Sequence, residues 1–235
     1  MRLRILGCHG GESPEHHNTS FLVDGHILLD AGALTRTLTV PEQLKIDHVF
    51  LSHVHLDHIR DLAMLSDNII ATRQQPVAVH CAPFTADALL QHFFNNVIWP
   101  DFTKIPNPAD ATGAPVIKLC RHAPQEAIAL PGYTAFTVPV NHPVDCQALF
   151  LRGARGTLVY SGDTGPTQAL WQALNQVHDL LAVICEVSFP NGQERLAQVS
   201  GHLTPAMLAC ELEKFRSQTK APIFLYHMKP GAQPL

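Results

Sequence analysis

No two of the six cysteines form a Cys-X-X-Cys pair; Cys8, Cys81, Cys120, Cys146, Cys185 and Cys210 fall singly along the chain. That spacing speaks against a zinc knuckle or a disulfide framework and predicts reduced, mostly buried thiols. No apolar run is long enough to span a bilayer. The opening residues 1–6 are broken by Gly7 too early for a secretory signal, so no membrane partner and a cytoplasmic setting are expected. A basic cluster is also missing: 16 Lys and Arg stand against 20 Asp and Glu, a formal charge of −4. Such a balance lacks the electrostatic footprint of a nucleic-acid or anionic-lipid binder. Internal repeats, low-complexity tracts and base-reading motifs are absent as well.

What the chain has is histidine, 15 of them, and above all the run His53-Val54-His55-Leu56-Asp57-His58. Fifteen histidines group by chance, and a lone His-X-His would carry little. Here four metal-binding side chains share six residues, directly after the apolar strand expected over 47–52. His53 and His55 lie at period two and point the same way as that strand ends. Asp57 and His58 fall at the turn into a helix expected over 57–65 and can face a second ion. Imidazole and carboxylate together suit two divalent cations, Zn²⁺ foremost with Mn²⁺ as the alternative.

Three later residues have the same character, each after an expected strand. They are His142 after 134–140, Asp163 in Ser161-Gly162-Asp163, and His227 after 222–226. Singly each would pass for a loop residue; together they describe a site built at strand ends. Cys146, near His142, is the weaker candidate ligand.

At 235 residues and 46% hydrophobic content, one domain with a full core is the natural expectation, with two smaller domains as the alternative. Strands are expected over 2–6, 21–23, 26–29 and 77–81, with a glycine-rich loop over 7–11. Helices are expected ending before Lys45 and over 85–94. The second half reads as strands 114–119, 134–140, 147–151, 157–161, 180–185 and 222–226, with helices 167–177 and 205–216. Two runs of strands, each closed by helices, predict two sheets face to face with helices outside. The proline-rich stretch 95–132 breaks this regularity and reads as a lid or interface insertion. Phe93, Phe94, Trp99 and Phe102, in or just before it, either stack on a base or partner or, more ordinarily, pack the segment onto the body.

His53, His55, Asp57, His58, His142, Asp163 and His227 match, in order, the His-X-His-X-Asp-His, His, Asp, His pattern of the metallo-β-lactamase fold superfamily, which the chain resembles over almost its whole length. Within it, the chain is similar to the class II 3′,5′-cyclic-nucleotide phosphodiesterases. That likeness rests on residues 53–59 with Leu62 and Ser66, on Leu6-Gly7-Cys8-His9-Gly10-Gly11, on Ile98-Trp99-Pro100, and on Gly201-His202-Leu203-Thr204-Pro205. Arg60-Asp61 and Asp67 depart from the family's usual small residues.

The resemblance implies an α/β (α+β), four-layer αββα metallo-β-lactamase sandwich forming a single domain over 1–235. It implies one ion on His53, His55 and His142, a second on Asp57, His58 and His227, and Asp163 between them. The implied reaction is hydrolysis of cAMP or cGMP to the 5′-monophosphate by a metal-bridging hydroxide that Asp57 also orients, with His202 as proton donor paired to Glu186. A small-molecule cyclic nucleotide is then the substrate, and a homodimer the family-based expectation. The alternatives are a tRNA 3′-processing endonuclease, which would need the basic surface this chain lacks, and a non-hydrolytic nucleotide- or metabolite-binding protein of the same fold.

Overall fold

Short apolar segments punctuated by Gly, Pro and Asp pair into two six-stranded sheets in the computed structural model, which describes residues 1–216 and 219–232. The chain divides into two compact units, one per sheet. The first comprises Arg2–Cys8 and His17–His122; the second comprises Met1, His9–His16 and the chain from Ala123 onward.

In the first unit the sheet runs in sequence order: β1 (Leu3–Gly7), β2 (Ser20–Val23), β3 (Ile27–Leu29), β4 (His48–Phe50), β5 (Val77–Cys81) and β6 (Ile117–Arg121). The first three strands are antiparallel, and β3 to β6 are parallel. Asp24 and Gly25 both adopt positive φ, 47° and 81°, the turn geometry that lets β2 double back as β3. Parallel neighbours need crossovers, and helices supply them. These are α1 (Leu34–Thr37) and α2 (Val40–Gln43) before β4, α3 (Leu56–Ile69) before β5, and α4 (Pro83–Ala88) before β6.

The single helix expected before Lys45 is therefore two. Thr39 and Glu42 form a capping box and Pro41 sits in the first turn, so a new helix starts where the old one would have continued. The helix expected over 85–94 begins earlier, at Pro83, and ends in a wider π turn over Leu89–Phe93. On α3, Ile59, Leu62, Leu65, Ser66 and Ile69 are buried at helical spacing against Val49, Val77 and Val79. Each of the apolar ones contributes about 1.5–3 kcal/mol.

The second unit orders its strands β7 (Ile128–Leu130), β8 (Tyr133–Val140), β9 (Cys146–Gly153), β10 (Gly156–Tyr160), β11 (Leu180–Glu186) and β12 (Ile223–Tyr226). Here β7 to β10 are antiparallel and β10 to β12 parallel. The crossovers carry α5 (Ala169–Leu174), then α6 (Glu194–Ser200) and α7 (Pro205–Leu212). Trp171, Phe150, Val183, Leu203 and Leu208 centre its core.

Neither β7 nor α6 was expected. Only Ala197 of α6 is buried while Leu196 and Val199 are exposed, so its sequence shows no core-facing stripe. The 95–132 stretch holds β6 and β7, and Phe94 and Phe102 are buried in the first unit's core. What it leaves exposed are Val97 and Ile98, at 85% and 63%. Among the described residues no helix is long and apolar enough to cross a membrane.

Candidate metal centre

In the first unit, β4 delivers the chain to His53, and His55 stands at the N-terminus of α3, with Asp57 and His58 in its first turn. An acid there is favoured by the helix dipole. The His53 ring lies 4.6 Å from that of His55 and 4.2 Å from that of His58, centroid to centroid. Asp30, fully buried at the end of β3, organises this group. Its carboxylate accepts the Ser52 N–H and hydroxyl, both at 2.7 Å, and His58 Nδ1–H at 2.7 Å. With its proton given to Asp30, Ser52 Oγ accepts from His53 Nδ1 at 3.0 Å. Both imidazoles are thereby fixed as Nδ1–H tautomers, with Nε2 as the donor an ion would meet.

Asp30 itself has φ of 53°, a left-handed conformation that few residue types accept. Two residues on, a Cβ at Gly32 would lie 2.0 Å from the Asp57 carbonyl, so only glycine lets this loop approach the start of α3. Asp61, which departs from the family pattern, has a structural task. It is buried and accepts the Thr35 N–H and hydroxyl, tying α1 to α3.

The second unit brings five of the expected residues together, each from the end of a strand or the start of a helix. His142 follows β8, Asp163 follows β10, Glu186 ends β11, His202 precedes α7 and His227 follows β12. Ligand atoms of His142, Asp163 and His202 lie within 4.8 Å of one another, as do those of Glu186, His202 and His227. His227 Nε2 is 3.2 Å from Asp163 Oδ2. His142 Nδ1 donates to the Gly201 carbonyl at 2.9 Å.

Gly201 has φ of 67°, and a Cβ there would press on Pro143 at 2.5 Å; it ends α6 and aims His202 inward. His227 is itself left-handed, φ 73°. Strain of this kind costs about 1–3 kcal/mol and is held by surrounding packing. Part of that packing is Gly10, whose Cβ would meet the His227 ring and carbonyl at 2.6–2.7 Å.

Glu186 and His202 form a short polar contact, Nδ1 to Oε1 at 2.5 Å. The carboxylate also accepts the Leu203 N–H at 3.1 Å and the Ser188 hydroxyl at 2.8 Å. Burial, and next the charge of Asp163, holds the Glu186 carboxyl well above the usual carboxylate range.

In each unit, then, imidazoles held through Nδ1 stand beside carboxylates, the donor chemistry of Zn²⁺ or Mn²⁺. No metal-competent group among the described residues includes Cys146, which is buried at the start of β9. The other thiols are also unbridged, three of the six being buried. Asp30, Ser52 and Ser188 were missed from sequence. A serine or aspartate beside an apolar run looks ordinary until the fold lays it against an imidazole.

Residues 21–228 match the family described as the Beta-lactamase superfamily domain. A probable 3′,5′-cyclic-nucleotide phosphodiesterase of Yersinia pestis is 26% identical over 90% of this chain and 66% of its own length. A ribonuclease Z of Methanococcus aeolicus is 28% identical over 65% of this chain and 47% of its own length. This chain thus spans about two thirds of the first relative and about half of the second. The crystal structure of unliganded yeast PDE1 superposes with a TM-score of 0.80 at 19% identity, covering 99% of this chain and 88% of the other. The α/β class expected from the sequence, two mixed sheets with helices, is the observed one. With the family matched over most of its length and the fold shared along all but a few residues, the chain belongs to the β-lactamase superfamily and has the metallo-β-lactamase fold.

Proposed function

We propose that this protein is a metal-dependent hydrolase that converts nucleoside 3′,5′-cyclic phosphate, cAMP or cGMP, to the 5′-monophosphate. The observation that carries the reading is the buried Glu186–His202 pair set beside His142, Asp163 and His227. Metal-bound hydrolases that expel an alkoxide need a proton donor next to the ligands, and this pair has that chemistry. The phosphodiesterase named among the relatives supports the choice of substrate.

In this reading His53, His55 and His142 would hold one divalent ion, Asp57, His58 and His227 would hold another, and Asp163 would be a further ligand. When bound, the ions lower the pKa of water and neutralise the charge of the phosphodiester. His202 gives its Nε2 proton to the departing 3′ oxygen, and Glu186 orients the ring through Nδ1. Asp57 accepts a hydrogen bond from the attacking water.

The direct experiment is product analysis after mixing metal-reconstituted protein with 3′,5′-cAMP and 3′,5′-cGMP, with a chelated control. Release of the 5′-monophosphate that chelation abolishes is expected. His202→Ala should lower kcat about 10²–10⁴-fold with both ions retained. No turnover by protein proven to hold two ions would overturn the reading. The ribonuclease Z similarity favours precursor tRNA as the second substrate to assay. The charge balance of −4 argues against it.

A further inference from the structure

We infer that Ser188 is a positioning residue that joins the metal ligand His227 to the proton-donor pair; the inference rests on His227 holding an ion, as proposed above. Ser188 stands two residues past Glu186, where β11 has ended, and is buried to 1% exposure. Its main chain is pinned on both sides, the N–H donating to the Leu203 carbonyl at 3.0 Å and the carbonyl accepting from the Lys229 N–H at 3.1 Å. The hydroxyl is therefore held between the segment that carries His202 and the segment that carries His227.

Its single proton has one strong destination, Glu186 Oε1 at 2.8 Å. The oxygen then accepts, and His227 Nδ1 stands 2.8 Å away. His202 Nδ1, at 3.2 Å from the same oxygen, is closer to Glu186 at 2.5 Å and donates there. One hydroxyl so sets the direction of the protons it shares with Glu186 and His227. With an ion on Nε2, which lies 3.2 Å from Asp163 Oδ2, His227 would be the Nδ1–H form, while Glu186 stays an acceptor for His202. In apolar surroundings a histidine whose Nδ1–H lost its acceptor would be under strong pressure to flip or change tautomer. An oxygen partner of this kind behind a metal-binding histidine changes ion affinity about 10–100-fold when removed. Ser188 adds a second effect, because the same oxygen also sets the acid pair.

The test uses the whole chain carrying Ser188→Ala, Ser188→Thr or Ser188→Val, the last two sharing a shape and differing in the hydroxyl. Zn²⁺ affinity is read by competition with a chelating dye, and imidazole tautomers by long-range ¹H–¹⁵N correlation. Ser188→Thr should keep both ions and the Nδ1–H form of His227. Ser188→Val and Ser188→Ala should lose about 10–100-fold at one ion only and shift the His227 nitrogens. Equal Zn²⁺ affinity and equal His227 tautomer in the Thr and Val variants would overturn the role, whether or not Ser188→Ala folds. Neither readout needs a substrate, so a wild-type protein inert toward cyclic nucleotides would defeat the proposed reaction and leave this result to stand or fall by itself.

Discussion

At the scale of single residues, His53 and His58 depend on Asp30 as His202 and His227 depend on Ser188. One carboxylate, with no exposed surface, accepts from Ser52 twice and from His58. Asp30→Asn keeps the shape and tolerates the left-handed backbone, since asparagine also enters that region readily. We expect the variant to fold and to bind Zn²⁺ about 10–100-fold more weakly, measured by dye competition. Wild-type affinity would mean that His58 orients without its carboxylate. Residues of this type were illegible in the sequence for a physical reason. The four side chains over 53–58 announce themselves by type and density, whereas Asp30 matters only through what the fold places 2.7 Å away.

At the scale of elements, β4, β5 and the residue just after β6 place three imidazoles in a ladder across the parallel strands. His48 Nδ1 meets His80 Nε2 at 3.1 Å, and His80 Nδ1 meets His122 Nε2 at 3.0 Å. Phe50 stacks on the His80 ring with centroids 4.6 Å apart. Burial first, and then the neighbouring His48 and His122, pushes His80 down to about 3 from its ordinary 6.5. The folded protein thus keeps His80 neutral while the unfolded chain protonates it below about pH 6.5. Its contribution to stability is intact above that pH and drains away as the pH falls toward 3. The slope approaches about 1.4 kcal/mol per pH unit.

Urea unfolding at pH 7 and pH 5 should therefore show a stability loss roughly 2 kcal/mol greater in the wild type than in His80→Gln. Equal losses would show that the ladder is not neutral in the fold. Most elements were readable because short apolar runs of about four to eight residues between turn signals commonly form buried strands. The exceptions follow the same logic. β7 is a three-residue edge strand, and α6 buries one side chain, so neither imposes a period on its sequence.

For the whole molecule, ions that bind the native chain and not the unfolded one stabilise it by mass action. At free Zn²⁺ a hundred times above the dissociation constant, the gain is about 2.7 kcal/mol per ion. Calorimetry should then show a chelator lowering Tm by about 5–10 °C per ion. A Tm indifferent to chelation, in protein shown by elemental analysis to have carried the ions, would count against the ligand set.

The sequence by itself determined the α/β class, most strand positions and the candidate ligands, because strand period and metal chemistry are written in residue type and spacing. Only the tertiary structure decided which hydroxyl and which carboxylate stand behind each imidazole, and that Gly10, Gly32 and Gly201 are needed for close approach. It also decided that Phe94 and Phe102 belong to the core while Val97 and Ile98 do not. Those contacts join residues far apart in the chain, as Asp30 to His58 and Ser188 to His227 do. No local pattern encodes them, because their geometry exists only once the sheets and their crossover helices have formed.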